Sequence, residues 1–199
     1  ANFGAKVIHP KCLEAIEKKK IPLEIRNFQN PLEEFNFTRI SEISDREQIK
    51  GISSEENCSI ITVSSGSLVD VPGVLAKIFK VMSKNNISVS LVAQSASEVS
   101  TAFIVKKEDS KKALKALEKA GYFSEFFEIT HEMVAILNIT GAKILENKTK
   151  ALIFNALDEK NIPVIAMSQS TEELNLSLVI HNKNIEDAII VVHKYLSSS

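Results

Sequence analysis

The sequence has few of the residues that build metal centres or disulfide frameworks. Its 199 residues include two cysteines, four histidines and no tryptophan. Cys12 and Cys58 have no second cysteine or histidine at metal-ligand spacing, so two reduced thiols are the simpler interpretation. The histidines are scattered, without an HExxH-like pair. We therefore expect no metal ligands and no catalytic histidine.

An excess of one charge and long hydrophobic runs are also missing. With 24 Lys and Arg against 25 Asp and Glu, the formal net charge is −1, and no basic stripe suits nucleic acid or a membrane surface. No apolar run approaches the roughly 20 residues that span a bilayer. GxxxxGK[ST], GxGxxG and GxSxG motifs are absent, so no catalytic residues are predicted.

The first 45 residues are too short to bury a core of their own. "PKCLEAIEKKK" (10–20) predicts a short helix and "IPLEIRNF" (21–28) a strand. The charged, aperiodic stretch 29–48 is interpreted as an extended connector. This part of the chain therefore looks like the end of a larger domain.

From residue 48 the pattern becomes regular. Strands are predicted at 49–53, 59–65, 87–94, 100–107 and 123–130, with amphipathic helices at 72–86 and 109–121, the second capped and closed by Gly121. The order from residue 59 is β-α-β-β-α-β. This order predicts an α+β fold of the ferredoxin-like type, an antiparallel sheet with both helices on one face.

The regular part of the chain repeats itself. At an offset of 75 residues, identities or close similarities run without a gap from Ile61 and Ile136 to Glu98 and Glu173. "NIEDAIIVVHKYL" (184–196) supplies the second helix of the second copy. The chain is thus predicted to carry two copies of one βαββαβ unit.

The turn "SLVDVPGVL" (67–75) is the best candidate for a ligand site. Gly73 lets a ligand lie against the backbone, and the N–H groups of Gly73, Val74 and Leu75 begin a helix without intrahelical partners. These groups suit a carboxylate, and Asp70 suits an ammonium group, as in a free amino acid. A turn that only starts a helix is about equally compatible. The second copy has Lys148, Thr149 and Lys150 instead, and is expected to be structural.

A polar cluster, "QSASE", follows the next strand. Gln94, Ser95, Ser97 and Glu98 could bind a ligand or could satisfy one another within a β-turn. Gln94, Ser95 and Glu98 recur as Gln169, Ser170 and Glu173. The recurrence favours an architectural role as much as a binding role.

Two stretches resemble one known family. "FGAKVIHPKCLEAIEKKKIPLEIRNFQNP" (3–31) resembles the end of the catalytic domain of aspartate kinases, and "GVLAKIFKVMSKNNISVSLVAQSASEVSTAFIV" (73–105) resembles the first of their two regulatory ACT domains. The resemblance implies a catalytic remnant and linker at 1–45 and a first ACT domain at 59–130. It also implies a second ACT domain at 46–58 and 131–199, with the first inserted into it.

In this family an end-product amino acid binds between the ACT domains of two subunits. The resemblance implies the following effector-binding residues: Leu68, Asp70, Val71, Gly73, Val74, Leu75, Val89, Ser90, Gln94, Ser95, Ser97 and Glu98. Lys6 matches a lysine near the nucleotide of the intact enzymes. Lysine-sensing members often carry Asp where this chain has Ser90, which favours threonine, although Asp70 could replace that charge.

The resemblance implies the regulatory region of an enzyme that makes 4-phospho-L-aspartate from ATP and L-aspartate. The Lys-Phe-Gly-Gly signature of the catalytic domain is absent, so this chain is not expected to be a kinase by itself or to hold a cofactor. The full-length enzyme would use ATP and Mg²⁺. We expect a cytoplasmic homodimer that mediates feedback inhibition by the end-product amino acid. It is expected to contact its own catalytic domain and to have no nucleic-acid or membrane partners. The missing initiator Met favours a fragment. The alternative is an ACT module that dimerises but binds nothing.

Overall fold

The computed structural model describes residues 8, 12–13, 16, 18–27, 37–40, 49–65, 72–95, 100–123, 127–169 and 174–197. Near the N-terminus, Cys12, Leu13 and Ile16 are helical, as predicted. Strand β1 (Leu23–Arg26) pairs antiparallel with β2 (Phe37–Ile40). The extended connector predicted at 29–48 therefore contains a strand, and that prediction was incomplete.

Charged and aromatic side chains join this hairpin, which explains why apolar periodicity did not reveal β2. Glu24 lies opposite Arg39 and accepts hydrogen bonds from both Arg39 and Arg26 at 2.7–3.2 Å. These bonds, from Arg39 first and then Arg26, lower the pKa of Glu24. Both guanidinium groups also lie over the ring of Phe37, 4.4 and 5.6 Å from its centroid.

The remaining elements build one α+β body. Its strands are β3 (Ile49–Ser64), β4 (Leu91–Gln94), β5 (Ser100–Lys106), β6 (Glu128–Gly141), β7 (Val164–Ser168) and β8 (Asn175–His181). Its helices are α1 (Val74–Lys84), α2 (Lys107–Lys119), α3 (Asn147–Asp158) and α4 (Ile185–Ser197), with 3-10 turns at Ala142–Leu145 and Asn182–Asn184. None of the helices in the described ranges is long and apolar enough to cross a membrane.

The six strands form one antiparallel sheet in the order β4-β5-β3-β6-β8-β7. The 16-residue β3 joins the separately predicted strands at 49–53 and 59–65 into one. A register shift between Glu55 and Cys58 interrupts its pairing with β6, and Asn57 there has a left-handed φ of 57°. The alternating pattern breaks at this bulge, so the sequence suggested two strands where the structure has one.

The long strands β3 and β6 run through both units. The C-terminal part of β3 pairs with β5 and with the start of β6, whereas Ile49–Glu55 pairs with Ile136–Gly141. Each unit thus shows the ferredoxin-like strand order, β4-β5-β3-β6 in the first and β3-β6-β8-β7 in the second. The predicted fold class is confirmed, with the two units sharing a single sheet.

All four helices cover the same face of this sheet. Ile61, Phe103 and Ile78 belong to a fully buried core under α1 and α2, and Leu137 and Ile153 to a second core under α3 and α4. A third core on the opposite face includes Leu91 of β4, Val134 and Val179. There the edge strands β4 and β7 approach each other, so the sheet curls around this third core.

The sequence comparison suggested an internal repeat without a gap, but the structure shows that the two copies differ in offset by one residue. Ile61 pairs with Phe103, and the equivalent of Phe103 at an offset of 75 is Leu178, which pairs with Leu137 and not with Ile136. The first strands of the two units are therefore related by 76 residues and the later elements by 75. The sequence comparison treated Ile61 and Ile136 as equivalent positions of the two repeats. Because side chains alternate between the faces of a strand, this one-residue error equated a helix-facing residue with one on the opposite face.

Several boundaries also differ from prediction. Helix α2 begins at Lys107 behind the N-cap Lys106, so Asp109 lies in its first turn and not at its cap. The strand predicted at 123–130 begins at Glu128 and continues to Gly141, and the strand predicted at 87–94 is limited to Leu91–Gln94. Gly121 follows α2 with a left-handed φ of 62°, as expected of a residue that ends a helix.

Candidate functional site

The turn before α1 is open and needs a glycine. Gly73 is the N-cap of α1 in a left-handed conformation, with φ of 85° and ψ of 12°. A Cβ built on Gly73 would meet none of the described residues within 4 Å, and both Gly73 and Pro72 are exposed. Backbone conformation therefore selects glycine here, and the space above it is free for a ligand.

The first turn of α1 offers backbone donors. The first hydrogen bond of the helix runs from the Lys77 N–H to the Gly73 carbonyl at 3.0 Å, so the N–H groups before Lys77 have no intrahelical acceptor. Glycine brings no side chain to cap them, and the first turn carries no acidic residue. Val74 is buried in the core below and Leu75 is half-buried. This geometry suits a carboxylate at the positive end of an 11-residue helix.

Gln94 and Ser95 lie at the same end of the first unit. Gln94 is exposed and pairs with Thr101, which itself pairs with Val63 near the end of β3, where the chain leaves the sheet toward α1. The Ser95 N–H donates to the Ser100 carbonyl at 3.0 Å, and the Ser100 N–H donates to the Ser95 hydroxyl at 3.2 Å. The Ser95 hydroxyl thus helps to close the turn, while the Gln94 amide remains accessible.

Ser90 and Val89 lie at the other end of β4. Ser90 is exposed, and its N–H donates to the Ile104 carbonyl at 3.0 Å. Val89 is half-buried against the first core. Four residues of extended chain put Ser90 about 13 Å from Gln94. Ser90 therefore lies at the end of β4 away from Gln94 and the Gly73 turn.

Sequence reasoning missed Thr101. It is 1% exposed, and its Oγ1 has no hydrogen-bond partner within the described part of the chain. The available signal was the repeat, because the equivalent position of the second unit is Leu176, which is fully buried in the second core.

The turn of the second unit is built differently. Gly141 ends β6, its N–H bonds the Leu174 carbonyl at 2.7 Å, and the 3-10 turn Ala142–Leu145 follows. Ile144 of that turn is fully buried, and Thr149 is 1% exposed. Here the chain fills its own turn with an apolar side chain, whereas the first unit leaves Gly73 uncovered.

Some predicted site residues lie outside the described residues. They are Lys6, Leu68, Asp70, Val71, Ser97, Glu98, Ser170 and Glu173. Within the described part of the chain, no group of three His, Cys, Asp or Glu side chains could hold a metal ion. Cys58 is 1% exposed, and burial raises the pKa of its thiol to about 11, with the Glu55 carboxylate adding to the shift.

Comparison with known proteins identifies the repeated unit. The model of the ACT domain family matches residues 55–120 and 137–196. The chain is 33% identical over 202 residues to the bifunctional aspartokinase/homoserine dehydrogenase of Buchnera aphidicola, a match that includes 98% of this chain and 24% of that protein. It is 31% identical to aspartokinase 2 of Bacillus subtilis, over 97% of this chain and 47% of that protein. The chain thus spans about a quarter to a half of the length of these relatives.

Solved structures share the fold. The aspartate kinase of Clostridium acetobutylicum aligns with a TM-score of 0.80 at 19% identity, covering 96% of this chain and 45% of that one. The regulatory subunit of aspartate kinase from Thermus flavus aligns with a TM-score of 0.66 at 24% identity, covering 75% of this chain and 99% of that one. E. coli aspartokinase III, solved in complex with lysine and aspartate, aligns over 98% of this chain and 43% of that one with a TM-score of 0.74 at 20% identity. Two matched repeats, the shared sheet and these relatives lead to one conclusion: the chain belongs to the ACT domain family and corresponds to the regulatory region of aspartokinases.

Proposed function

We propose that this chain binds an end-product amino acid, threonine in preference to lysine, and so regulates an aspartate kinase by feedback inhibition. The observation that carries the proposal is the uncovered, left-handed Gly73 at the start of α1. Only the first unit combines such a glycine with a bare helix N-terminus among the described residues, because the 3-10 turn with Ile144 precedes α3 in the second. One effector site per chain follows.

The two charged ends of an amino acid have different requirements at this site. The effector carboxylate accepts hydrogen bonds from the first-turn N–H groups of α1, where the helix dipole favours an anion. Asp70 is the carboxylate that the sequence offers to the ammonium group, and the exposed Gln94 amide supplies further hydrogen bonds. The family resemblance assigns Leu68, Val71, Leu75, Ser95, Ser97 and Glu98 to the same site.

The position of Ser90 favours a site completed by a second subunit. Because Ser90 lies about 13 Å from Gln94, at the other end of β4, a Ser90 from the first unit of a second chain is the simpler neighbour for an effector at the Gly73 turn. We therefore propose a homodimer with the effector held between its first ACT units. Ser90 of one subunit then faces the Gly73 turn of the other.

Regulation follows from differential binding. An effector that bridges two subunits favours the dimer arrangement that it fits best, and it shifts the kinase toward the inhibited state by its difference in affinity for the two states. The kinase reaction, with ATP, Mg²⁺ and L-aspartate, belongs to a catalytic domain of which Lys6 is a remnant. We assign no catalytic residue to this chain and place the enzyme in the cytoplasm.

The strand pairing supports a nested division of the chain. Residues 59–130 form the first ACT domain, and residues 46–58 and 131–199 form the second, because Ile49–Glu55 adds a strand to the second unit. Residues 1–45 then belong to the catalytic domain and its linker. In this division the effector-binding unit is inserted into the unit that adjoins the kinase.

Isothermal titration calorimetry tests the proposal. We expect one threonine per chain to bind, with lysine and methionine weaker, and sedimentation velocity to show a dimer that threonine stabilises. A dimer without heat from any amino acid would favour the alternative, an ACT module that only dimerises.

A further inference from the structure

A buried hydroxyl without a partner lies beside the proposed site. Thr101 Oγ1 has less than 1 Å² of exposed surface and no hydrogen bond to any residue that the structure describes, although Thr101 belongs to a regular strand. Buried polar groups in proteins are nearly always paired, because an unpaired one has lost its water without replacement. A group left in this state is a reason to look for a ligand that pairs with it.

The position of Thr101 connects it with α1. Phe103 and Val105, two and four residues further along β5, belong to the core under α1 and α2, so the Thr101 side chain lies on the helix-covered face. Thr101 lies opposite Val63, one residue before the end of β3. Since α1 begins shortly after β3 and packs back over the sheet, its N-terminus lies at the Thr101 end.

The second unit provides an internal comparison. Val63 and Thr101 form a pair in the first unit, and the equivalent pair in the second is Ile139 and Leu176, both fully buried. A wholly apolar pair therefore satisfies the fold at this position. The first unit has a hydroxyl where packing needs none, and it is also the unit with the open Gly73 turn.

We propose that Thr101 determines which amino acid is bound, by pairing its hydroxyl with a hydroxyl on the effector side chain. This inference rests on the proposed effector site. A ligand with its carboxylate on the first turn of α1 directs its side chain between that turn and the start of β5, where Thr101 is the second residue. The effector class is thus a small amino acid with a side-chain hydroxyl, threonine above its isostere valine.

Because the Thr101 hydroxyl has no hydrogen-bond partner among the described residues, we expect strong discrimination between threonine and valine. Pairing the Thr101 hydroxyl breaks no hydrogen bond to another described residue. Valine would bring a methyl group to the same place and leave the hydroxyl unpaired. Sites built to bond a hydroxyl reject the analogue that lacks it far better than apolar pockets separate isosteres.

Exchanging threonine for valine in both protein and ligand tests the inference. Calorimetry measures threonine and valine binding to the wild-type chain and to Thr101→Val. We expect at least a tenfold preference for threonine in the wild type, equivalent to about 1.4 kcal/mol, and less than threefold in Thr101→Val through lost threonine affinity. Thr101→Ser keeps the hydroxyl and should keep most of the preference.

Two controls separate binding from folding. Thr62→Val makes the same change one residue before Val63 on β3, where the side chain points to the opposite face, and should leave both affinities unchanged. Thr101→Val should unfold at a midpoint no lower than that of the wild type, because it removes an unpaired buried group.

The failures of the two proposals can be told apart. Threonine binding with the same preference in Thr101→Val overturns the role of Thr101 and leaves the effector site intact. Tightest binding of lysine would overturn both the role of Thr101 and the proposed preference for threonine, and would leave only the existence of an amino-acid site intact. Absence of binding by any amino acid overturns both proposals.

Discussion

Gln94 of β4 and Thr101 of β5 lie directly opposite each other, and directly opposite side chains share one face of a sheet. Here that face is the one covered by the helices. The Gln94 amide is exposed, whereas the Thr101 hydroxyl is buried. The start of α1 therefore has an accessible amide and a buried hydroxyl on the same face of the sheet, which is the basis for expecting recognition of a small polar molecule.

Replacing Gly73 should abolish effector binding. Gly73→Asp puts a side chain into the open space and brings a negative charge to the effector carboxylate. A left-handed non-glycine residue also costs about 1–2 kcal/mol, so the free protein should be somewhat less stable. Calorimetry with threonine measures the binding and thermal unfolding measures the stability.

Gly121→Asp is the matched control. Gly121 is also exposed, has a φ of 62°, and has nothing within 4 Å of its Cβ position. We expect a similar loss of stability with unchanged threonine affinity. Equal affinity losses in the two variants would mean that strain, and not the turn before α1, explains the effect.

Mixing two non-binding variants should restore binding if the site spans two subunits. Ser90→Arg puts a long side chain at the exposed start of β4, and Gly73→Asp disables the turn. In a mixed dimer one site carries both changes and the other carries neither. Refolding the two variants together should give one threonine site per mixed dimer, whereas each variant alone gives none.

No recovery in mixed dimers whose formation is verified by mass spectrometry would place both residues in a site within one chain. That result would contradict the interface proposal. Whether the chain binds an amino acid at all is tested separately by the calorimetric titration.

The two units should unfold together, because β3 and β6 belong to both. Ile78 and Ile153 are fully buried at equivalent positions of α1 and α3. Replacing either by alanine should lower the free energy of unfolding by about 2–5 kcal/mol. In urea both variants should show one transition by circular dichroism and fluorescence of an added probe, at a lower midpoint. The control is Ile190→Ala, at a position 64% exposed, which should change the urea midpoint little. Two separated transitions in either core variant would contradict cooperative unfolding of the shared sheet.

The two cysteines should react very differently. Cys12 is exposed, whereas Cys58 is buried and its thiol pKa is raised to about 11. A thiol reagent at pH 8 should modify Cys12 rapidly and Cys58 only after unfolding. Mass spectrometry of timed samples identifies the modified residue. Rapid labelling of Cys58 in the folded chain would contradict its burial.

The same pKa makes stability depend on pH in the alkaline range. The unfolded thiol ionises near its ordinary pKa of 9.0 and the folded thiol only near 11. Its contribution to stability is therefore complete below pH 9 and is lost as pH rises through 11. The unfolding midpoint of the wild type should fall more steeply over this range than that of Cys58→Ala, and parallel slopes would exclude the thiol as the cause.

The main elements of the fold could be predicted because the side-chain periodicities are strong. The apolar residues of α1 at 74, 78 and 82 are the ones that the structure buries. The continuity of β3 could not be predicted, because the bulge at Asn57 breaks the alternation and its left-handed φ is not visible in composition. The shift of the repeat was missed for a related reason: similar residues, Ile61 and Ile136, occupy opposite faces.

The site could be predicted only in part. Gly73 stands out in the sequence, since Pro-Gly before an amphipathic helix predicts an open turn. Thr101 does not stand out, because threonine is an ordinary strand residue and only its unpaired, buried hydroxyl distinguishes it. The separation of Ser90 from Gln94 likewise depends on where β4 begins and on its pairing with β5.

Thermal unfolding of this chain with each amino acid tests the central claim most directly. A ligand at 100 times its dissociation constant adds about 2.7 kcal/mol to stability, which raises the midpoint measurably. We predict a rise with threonine that exceeds the rise with lysine, methionine or valine, and that Gly73→Asp abolishes. An unchanged midpoint with every amino acid, at concentrations up to 10 mM (about 100-fold above a dissociation constant of 0.1 mM), would contradict the claim that this region senses an amino acid.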